Sequence, residues 1–161
     1  FRSDLYADPP GTRTEDAGRF TSALGGSAAN IAAGLVRLGS EASLITTVSD
    51  DAVGRFVLRE LARYGIDTSH VARIGGQSRT SLAVVETRAE DCQSVIYRND
   101  AADLRLSDAH VANLDLAPYG ALIVTGTALA VEPSRTATLS AMRQAREASV
   151  DRKSTRLNSS H

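Results

Sequence analysis

Cysteine is almost missing from this sequence: Cys92 stands alone among 161 residues, so no internal disulfide can staple the chain. With only three histidines beside it, a structural zinc site has too few ligands to draw on. Charge of one sign is lacking too. Eighteen basic residues against nineteen acidic ones give a formal net charge of −1, which leaves no basic field for nucleic acid or an anionic membrane surface. No apolar run approaches the roughly 20 residues that a spanning helix needs, and no charged-then-apolar leader opens the chain. The sequence therefore reads as cytoplasmic, with neither nucleic acid nor membrane as partner. What is present, 42% hydrophobic and 23% charged residues, is the make-up of one ordinary globular domain or part of one.

Lysine is as scarce as cysteine, and its place is informative. Residues 1–150 hold fifteen arginines and no lysine; the single Lys153 lies in the segment 151–161, DRKSTRLNSSH. Composition changes abruptly there. The segment resembles a translated reading frame of a common sequencing-library adapter, which makes 151–161 an expected non-native tail; an ordinary polar C-terminus is the alternative. Without it the net charge of residues 1–150 is −3, so the exclusion of nucleic acid stands. The first residue is Phe1 and not Met, which gives the expectation that the chain begins inside a longer reading frame.

Along residues 1–150, strand and helix signals alternate, then pause, then resume. A strand-like run over 18–24 leads into Gly25-Gly26, and from Ser27 the positions Ala28, Ile31, Ala32, Leu35 and Leu38 recur at helical spacing before Gly39. Residues 42–48 are aliphatic and β-branched, as in a buried strand. Asp50 or Asp51 can cap a second helix carrying Val53, Phe56, Val57, Leu61 and Tyr64 on one stripe. In the middle third, 70–74, 80–87 and 93–98 are strand-length runs with no helix between them, the pattern of a small antiparallel sheet. A helix signal follows at 107–114, an apolar strand at 119–125, and a last helix from Pro133 to about Ala148, with Leu139, Met142 and Ala145 read as its core contacts. The fold class is α/β with a β excursion.

Gly25-Gly26-Ser27-Ala28-Ala29-Asn30 sits between a strand and a helix. Missing side chains there let a ligand approach the backbone, unpaired helix N–H groups can bind oxygen, and Asn30 offers both a donor and an acceptor. Such a set suits a polyhydroxylated ligand. A tight turn in which glycine merely permits chain reversal has the same spacing. Neither G-x-G-x-x-G nor G-x-x-x-x-G-K-[ST] occurs, so dinucleotide and P-loop sites are excluded within the residues at hand.

The ordered set of motifs carries a resemblance. GGSAANIAAGLVRLG, Gly25 to Gly39, and TTVSDDAVGRFVLRELARYGID, Thr46 to Asp67, resemble the PfkB or ribokinase-like carbohydrate kinases, with Ser49 where a glycine is usual. Ser3-Asp4-Leu5-Tyr6, Glu15-Asp16 with Phe20, Tyr97-Arg98 before Ala101-Ala102-Asp103, and Val124-Thr125-Gly126-Thr127 are most similar to the family's 5-dehydro-2-deoxygluconokinase branch. Ketodeoxygluconate kinases and fructokinases share much of the pattern.

The resemblance implies a ribokinase-like, Rossmann-type three-layer α/β fold with a small antiparallel β lid (strands about 18–24 and 70–98), truncated at both ends. It implies ATP with Mg2+ as phosphoryl donor, a small sugar acid phosphorylated on a primary hydroxyl as substrate, and a homodimer through the lid as the partner arrangement. It implies that Asp4 ends the first core strand and accepts from sugar hydroxyls, and that Gly25, Gly26 and Asn30 floor the sugar site. Arg98 would pair two-pronged with the substrate carboxylate. Tyr97 would stack on or bond to the ligand, although strand alternation sets neighbours on opposite faces. Gly126 lies at a strand's carboxyl end, where ligands gather in open α/β sheets. For Asp4 a turn aspartate, and for Arg98 a solvated strand-end charge, are the simpler roles. The catalytic aspartate and most of the ATP pocket are expected beyond residue 150, leaving this polypeptide inactive by itself. A noncatalytic sugar-binding module is the alternative from another class.

Overall fold

The computed structural model describes residues 1–148 and 151–155. Residues Arg2–Asp8 form β1, which turns through Pro9-Pro10-Gly11 and returns as β2, Arg19–Gly25. The two run antiparallel in full register from Arg2↔Gly25 to Asp8↔Arg19. On its other side β1 lies parallel to β5, Leu82–Val85, and β5 pairs antiparallel with β6, Ser94–Tyr97. The result is a four-stranded sheet in the order β2-β1-β5-β6, mixed because β1 and β5 share a direction.

The diglycine ends β2 and starts α1, Ser27–Arg37. Gly26 takes φ +93°, a conformation that side-chained residues rarely adopt. Strand β3, Thr46–Ser49, is buried at every position, as expected of a parallel strand covered on both faces. Helix α2, Ala52–Arg63, is capped by Asp51, whose Oδ1 accepts from the backbone N–H groups of Val53 and Gly54 at 3.0 Å. A Cβ at Gly54 would collide with the carbonyl oxygen of Ser49, so this glycine lets the first turn of α2 close down on the end of β3. Ala29 and Ala32 of α1, Val48 of β3, Val57 and Leu61 of α2, and Leu44 and Ile66 make one apolar core.

Strand β4, Val71–Ile74, pairs parallel with β3 in the register Thr46↔Val71. This corrects the sequence expectation that 70–74 belongs with the antiparallel excursion. The helix between β3 and β4 makes a β-α-β unit, in which a parallel neighbour is the natural outcome. The short α3, Asp108–Val111, and β7, Ala121–Thr125, lead to α4, Ser134–Glu147. Ala137, Ala141 and Ala145 are the buried face of α4, whereas Leu139 is 39% exposed and so is not the core contact that its hydrophobicity suggested. The buried register is i, i+4, i+8, and Leu139 falls off it. The backbone of β8, Asp151–Thr155, runs parallel to β7 from Ala121↔Asp151 to Thr125↔Thr155.

Ser49, the departure from the usual glycine, is fully used. Its Oγ lies 2.8 Å from Thr80 Oγ1, accepts from the Thr80 N–H at 3.0 Å and donates to Asp51 Oδ1 at 2.8 Å. Its own N–H donates to Thr80 Oγ1 at 3.0 Å. The hydroxyl thus ties β3 to the segment entering β5.

Candidate functional site

Asp4 lies in the middle of β1, in the four-stranded sheet, rather than at the end of a core strand as the resemblance implied. Its side chain is 7% exposed and is held from two sides. Arg2 Nε donates to Oδ1 at 2.6 Å, and the Tyr6 hydroxyl donates to Oδ2 at 3.5 Å. Burial, then the Asp4 carboxylate beside it, pushes the Tyr6 hydroxyl pKa upward, so Tyr6 stays a donor. A Cβ at Gly25, which pairs with Arg2 across the hairpin, would overlap the Asp4 carboxylate group itself. Gly25 therefore makes the seat in which the carboxylate sits.

At Gly26 the chain itself makes the close approach. A Cβ there would stand 2.7 Å from Phe1 Cα and 2.8 Å from Phe1 N. Asn30 is one turn into α1, donates its backbone N–H to Gly26 O at 3.1 Å, and is exposed. Gly26 thus permits the turn, and the space that Gly25 leaves is taken by the chain's own Asp4 carboxylate.

Arg98 follows β6 directly. Its Nε and Nη2 donate to the same oxygen of Asp103, Oδ2, at 3.1 and 2.6 Å, and Nη2 also reaches the Thr127 carbonyl at 3.3 Å. The other Asp103 oxygen accepts from Ser81 Oγ at 2.7 Å. Arg98, Asp103, Thr125 and Thr127, together with Phe1 and Ala28, line a cavity of about 210 Å³ that opens between α1, β3, β7 and α4.

Tyr97 does not join Arg98. It is 60% exposed and lines a different hollow with Asp51, Val53, Arg79 and Leu82, as the alternation of strand side chains requires. Gly126 is exposed at the start of the 3-10 turn Gly126–Leu129 after β7, and its neighbours Thr125 and Thr127 face the cavity. The arrangement thus brings Asp4 to Gly25, and Arg98 to the end of β7, while Tyr97 and Asn30 stand apart. Asp103 and Ser81 escaped the sequence reading of the site. Asp103 lies five residues beyond Arg98, a separation that matches neither strand nor helix periodicity.

No cluster of three or more His, Cys, Asp or Glu side chains that could hold a metal occurs among the described residues. The two acidic groups of the site are committed to arginines, Asp4 to Arg2 and Asp103 to Arg98. The described residues therefore do not fit a magnesium site. Among the described residues no helix is long and apolar enough to cross a membrane.

Residues 3–159 match the model of the pfkB family carbohydrate kinases. The chain belongs to that family. It is 43% identical over 143 residues to a 5-dehydro-2-deoxygluconokinase of Photobacterium profundum, an alignment covering 89% of this chain and 43% of the relative. A 5-dehydro-2-deoxygluconokinase of Geobacillus kaustophilus is 41% identical over 144 residues, with 89% and 43% covered. The chain thus spans less than half the length of these curated relatives. Its fold is that of a fructokinase from Xylella fastidiosa solved with bound ATP, at a TM-score of 0.82 and 22% identity, with 99% of this chain and 52% of that one covered. The ribokinase-like α/β architecture expected from the motifs is therefore the one this pfkB chain adopts.

Proposed function

We propose that the whole protein carrying this pfkB chain is an ATP-dependent kinase that phosphorylates a primary hydroxyl of a sugar acid, with 5-dehydro-2-deoxygluconate as first choice. The observation that carries the sugar half of this reading is the seat of Asp4: a buried carboxylate packed on a glycine that has no room for a methyl group. A carboxylate placed so is a fixed acceptor for hydroxyl donors. Arg98, bordering the cavity at the end of β7, is the group we assign to the acid end of the substrate; Asp103 and Thr127 take the two-pronged Nε and Nη2 edge, which leaves the charge-assisted Nη1 donors for a carboxylate. Gly26 and Gly126 are assigned to the approach, and Tyr97 and Asn30, which stand apart, to the outer surface.

Phosphoryl transfer also needs a base at the accepting hydroxyl and donors for the moving charge. We assign both, with the nucleotide and its Mg2+, to the part of the protein that the relatives' length implies and this chain does not span. The kinase names of the Photobacterium and Geobacillus relatives and the ATP bound by the Xylella neighbour support ATP as the donor, and the relatives' greater length leaves room for those parts. The chain alone is then a sugar-side half without turnover.

The test is a coupled ATPase assay of the complete protein on a panel of sugar acids and ketoses. Expected is a preference for 5-dehydro-2-deoxygluconate that Arg98→Ala reduces at least 100-fold in kcat/KM, with any activity on fructose changed less than threefold. Equal loss on both substrate classes removes the acid-binding role of Arg98. A higher rate on 2-keto-3-deoxygluconate or fructose reassigns the substrate within the family, and sugar binding without ATP turnover returns the noncatalytic module.

A further inference from the structure

We infer that Asp103 is a positioning residue that aims Arg98 at the acid end of the substrate, held in turn by Ser81. The inference rests on the reading of Arg98 just given and extends it to two side chains to which the motifs gave no role.

A lone arginine at the end of an exposed strand is mobile, and its charge is screened. Arg98 is instead fixed at three points: two of its nitrogens on Asp103 Oδ2, and Nη2 also on the Thr127 carbonyl. Asp103 is itself immobilised. Its side chain is 7% exposed, and its second oxygen takes the Ser81 hydroxyl. Ser81 is 2% exposed, and its carbonyl accepts the N–H of Ser3 at 2.9 Å. Ser3 immediately precedes Asp4 in β1. A continuous run of hydrogen bonds therefore links the strand that carries Asp4, through Ser81 and Asp103, to Arg98 and the carboxyl end of β7.

The geometry also decides which donors remain. Asp103 and Thr127 occupy Nε and Nη2, and among the described residues no protein acceptor is found for Nη1. Arg98 borders the cavity and so can offer the Nη1 edge of a guanidinium whose plane is already set. Ordering the arginine in advance removes a cost that the substrate would otherwise carry on binding. Full charge cancellation by Asp103 would weaken long-range attraction, yet directed hydrogen bonds at Nη1 survive it. The function of the pair is accordingly orientation, and the variants that test it keep both charges.

The experiment uses the complete protein, 5-dehydro-2-deoxygluconate and ATP, and compares Asp103→Glu, Ser81→Ala and Arg98→Lys. Asp103→Glu keeps the charge and displaces the carboxylate by about one methylene; Ser81→Ala removes only the tie on Oδ1. Expected is a KM for the sugar acid raised about tenfold in Asp103→Glu and about threefold in Ser81→Ala, with kcat within threefold and KM for ATP unchanged. A merely structural role would lower kcat and the folded fraction without selecting one substrate's KM. Sugar-acid KM values within 1.5-fold of the parent in both variants, or KM for ATP rising in step, overturn the inference. If Asp103→Glu fails to fold, Ser81→Ala decides by the same criteria. Arg98→Lys separates the two levels: if it raises the sugar-acid KM while the other variants do not, positioning fails and the acid-binding reading stands. If Arg98→Lys changes nothing, or the parent protein does not turn over this substrate, the reading itself fails and the inference with it.

Discussion

Gly25 is where a single atom decides the site, because the volume a Cβ would take is already filled by the Asp4 carboxylate. Gly25→Ala in the complete protein must therefore expel Asp4 from its seat or push β1 and β2 apart. Overpacking of this kind costs about 1–3 kcal/mol, and the displaced carboxylate would also break with Arg2 and Tyr6. The expected outcome is a fall of several degrees in melting temperature together with loss of sugar phosphorylation. Gly126→Ala is the contrast, since no atom stands within 4 Å of its added Cβ and its φ lies outside the positive range, so its melting temperature should stay within about one degree. Thermal melts of the pair, read beside sugar-acid KM, check both. At this scale the sequence revealed the diglycine but not what each glycine does. The Asp4 contact arises from hairpin register, which pairs residues more than twenty positions apart. Arg98 and Asp103 were both legible in the motif over 97–103, whereas their pairing was not, because the loop between them has no period to project.

At the level of elements, α2 is the piece whose ends and faces follow most directly from its residues. Burial pushes the Asp51 pKa up, but the N–H of Gly54, the Ser49 hydroxyl, the N–H of Val53 and Arg79 outweigh it, so the net shift is downward. A carboxylate with a depressed folded pKa contributes stability above its unfolded value of about 3.9, and that contribution is lost as pH falls through the folded value. Asp51→Ala should cost about 1 kcal/mol at pH 7 as a lost cap. The difference between the two proteins should shrink as pH drops below about 4, which urea melts at several pH values measure. Leu61, fully buried beneath the same helix, gives the larger number: Leu61→Ala should cost about 2–5 kcal/mol. The helical stripes of α1 and α2 and the capping aspartate could be read from spacing because those signals are local, except that Leu38, counted in the first stripe, caps α1 and is 85% exposed. The partner of β4 could not, since 70–74 looks alike whether it joins β3 or an antiparallel neighbour. Leu139 misled for a related reason: hydrophobicity marks what can be buried, while the register of Ala137, Ala141 and Ala145 chooses the face that is.

Taken whole, the molecule holds two two-stranded parallel sheets, β3 with β4 and β7 with β8, and among the described residues nothing pairs with the remaining edges of β3 and β7. The cavity of about 210 Å³ lies beside them, lined by Thr46 of β3 and by Leu122 and Val124 of β7. Strand edges left open in this way present unpaired N–H and C=O groups that can pair with another chain. The 161-residue chain by itself should therefore associate as its concentration rises, which sedimentation velocity over a range of concentrations measures. A cooperative melt of a species that stays monomeric at every concentration would mean that those edges are covered, and the open β3 and β7 edges would then not be a property of the folded chain.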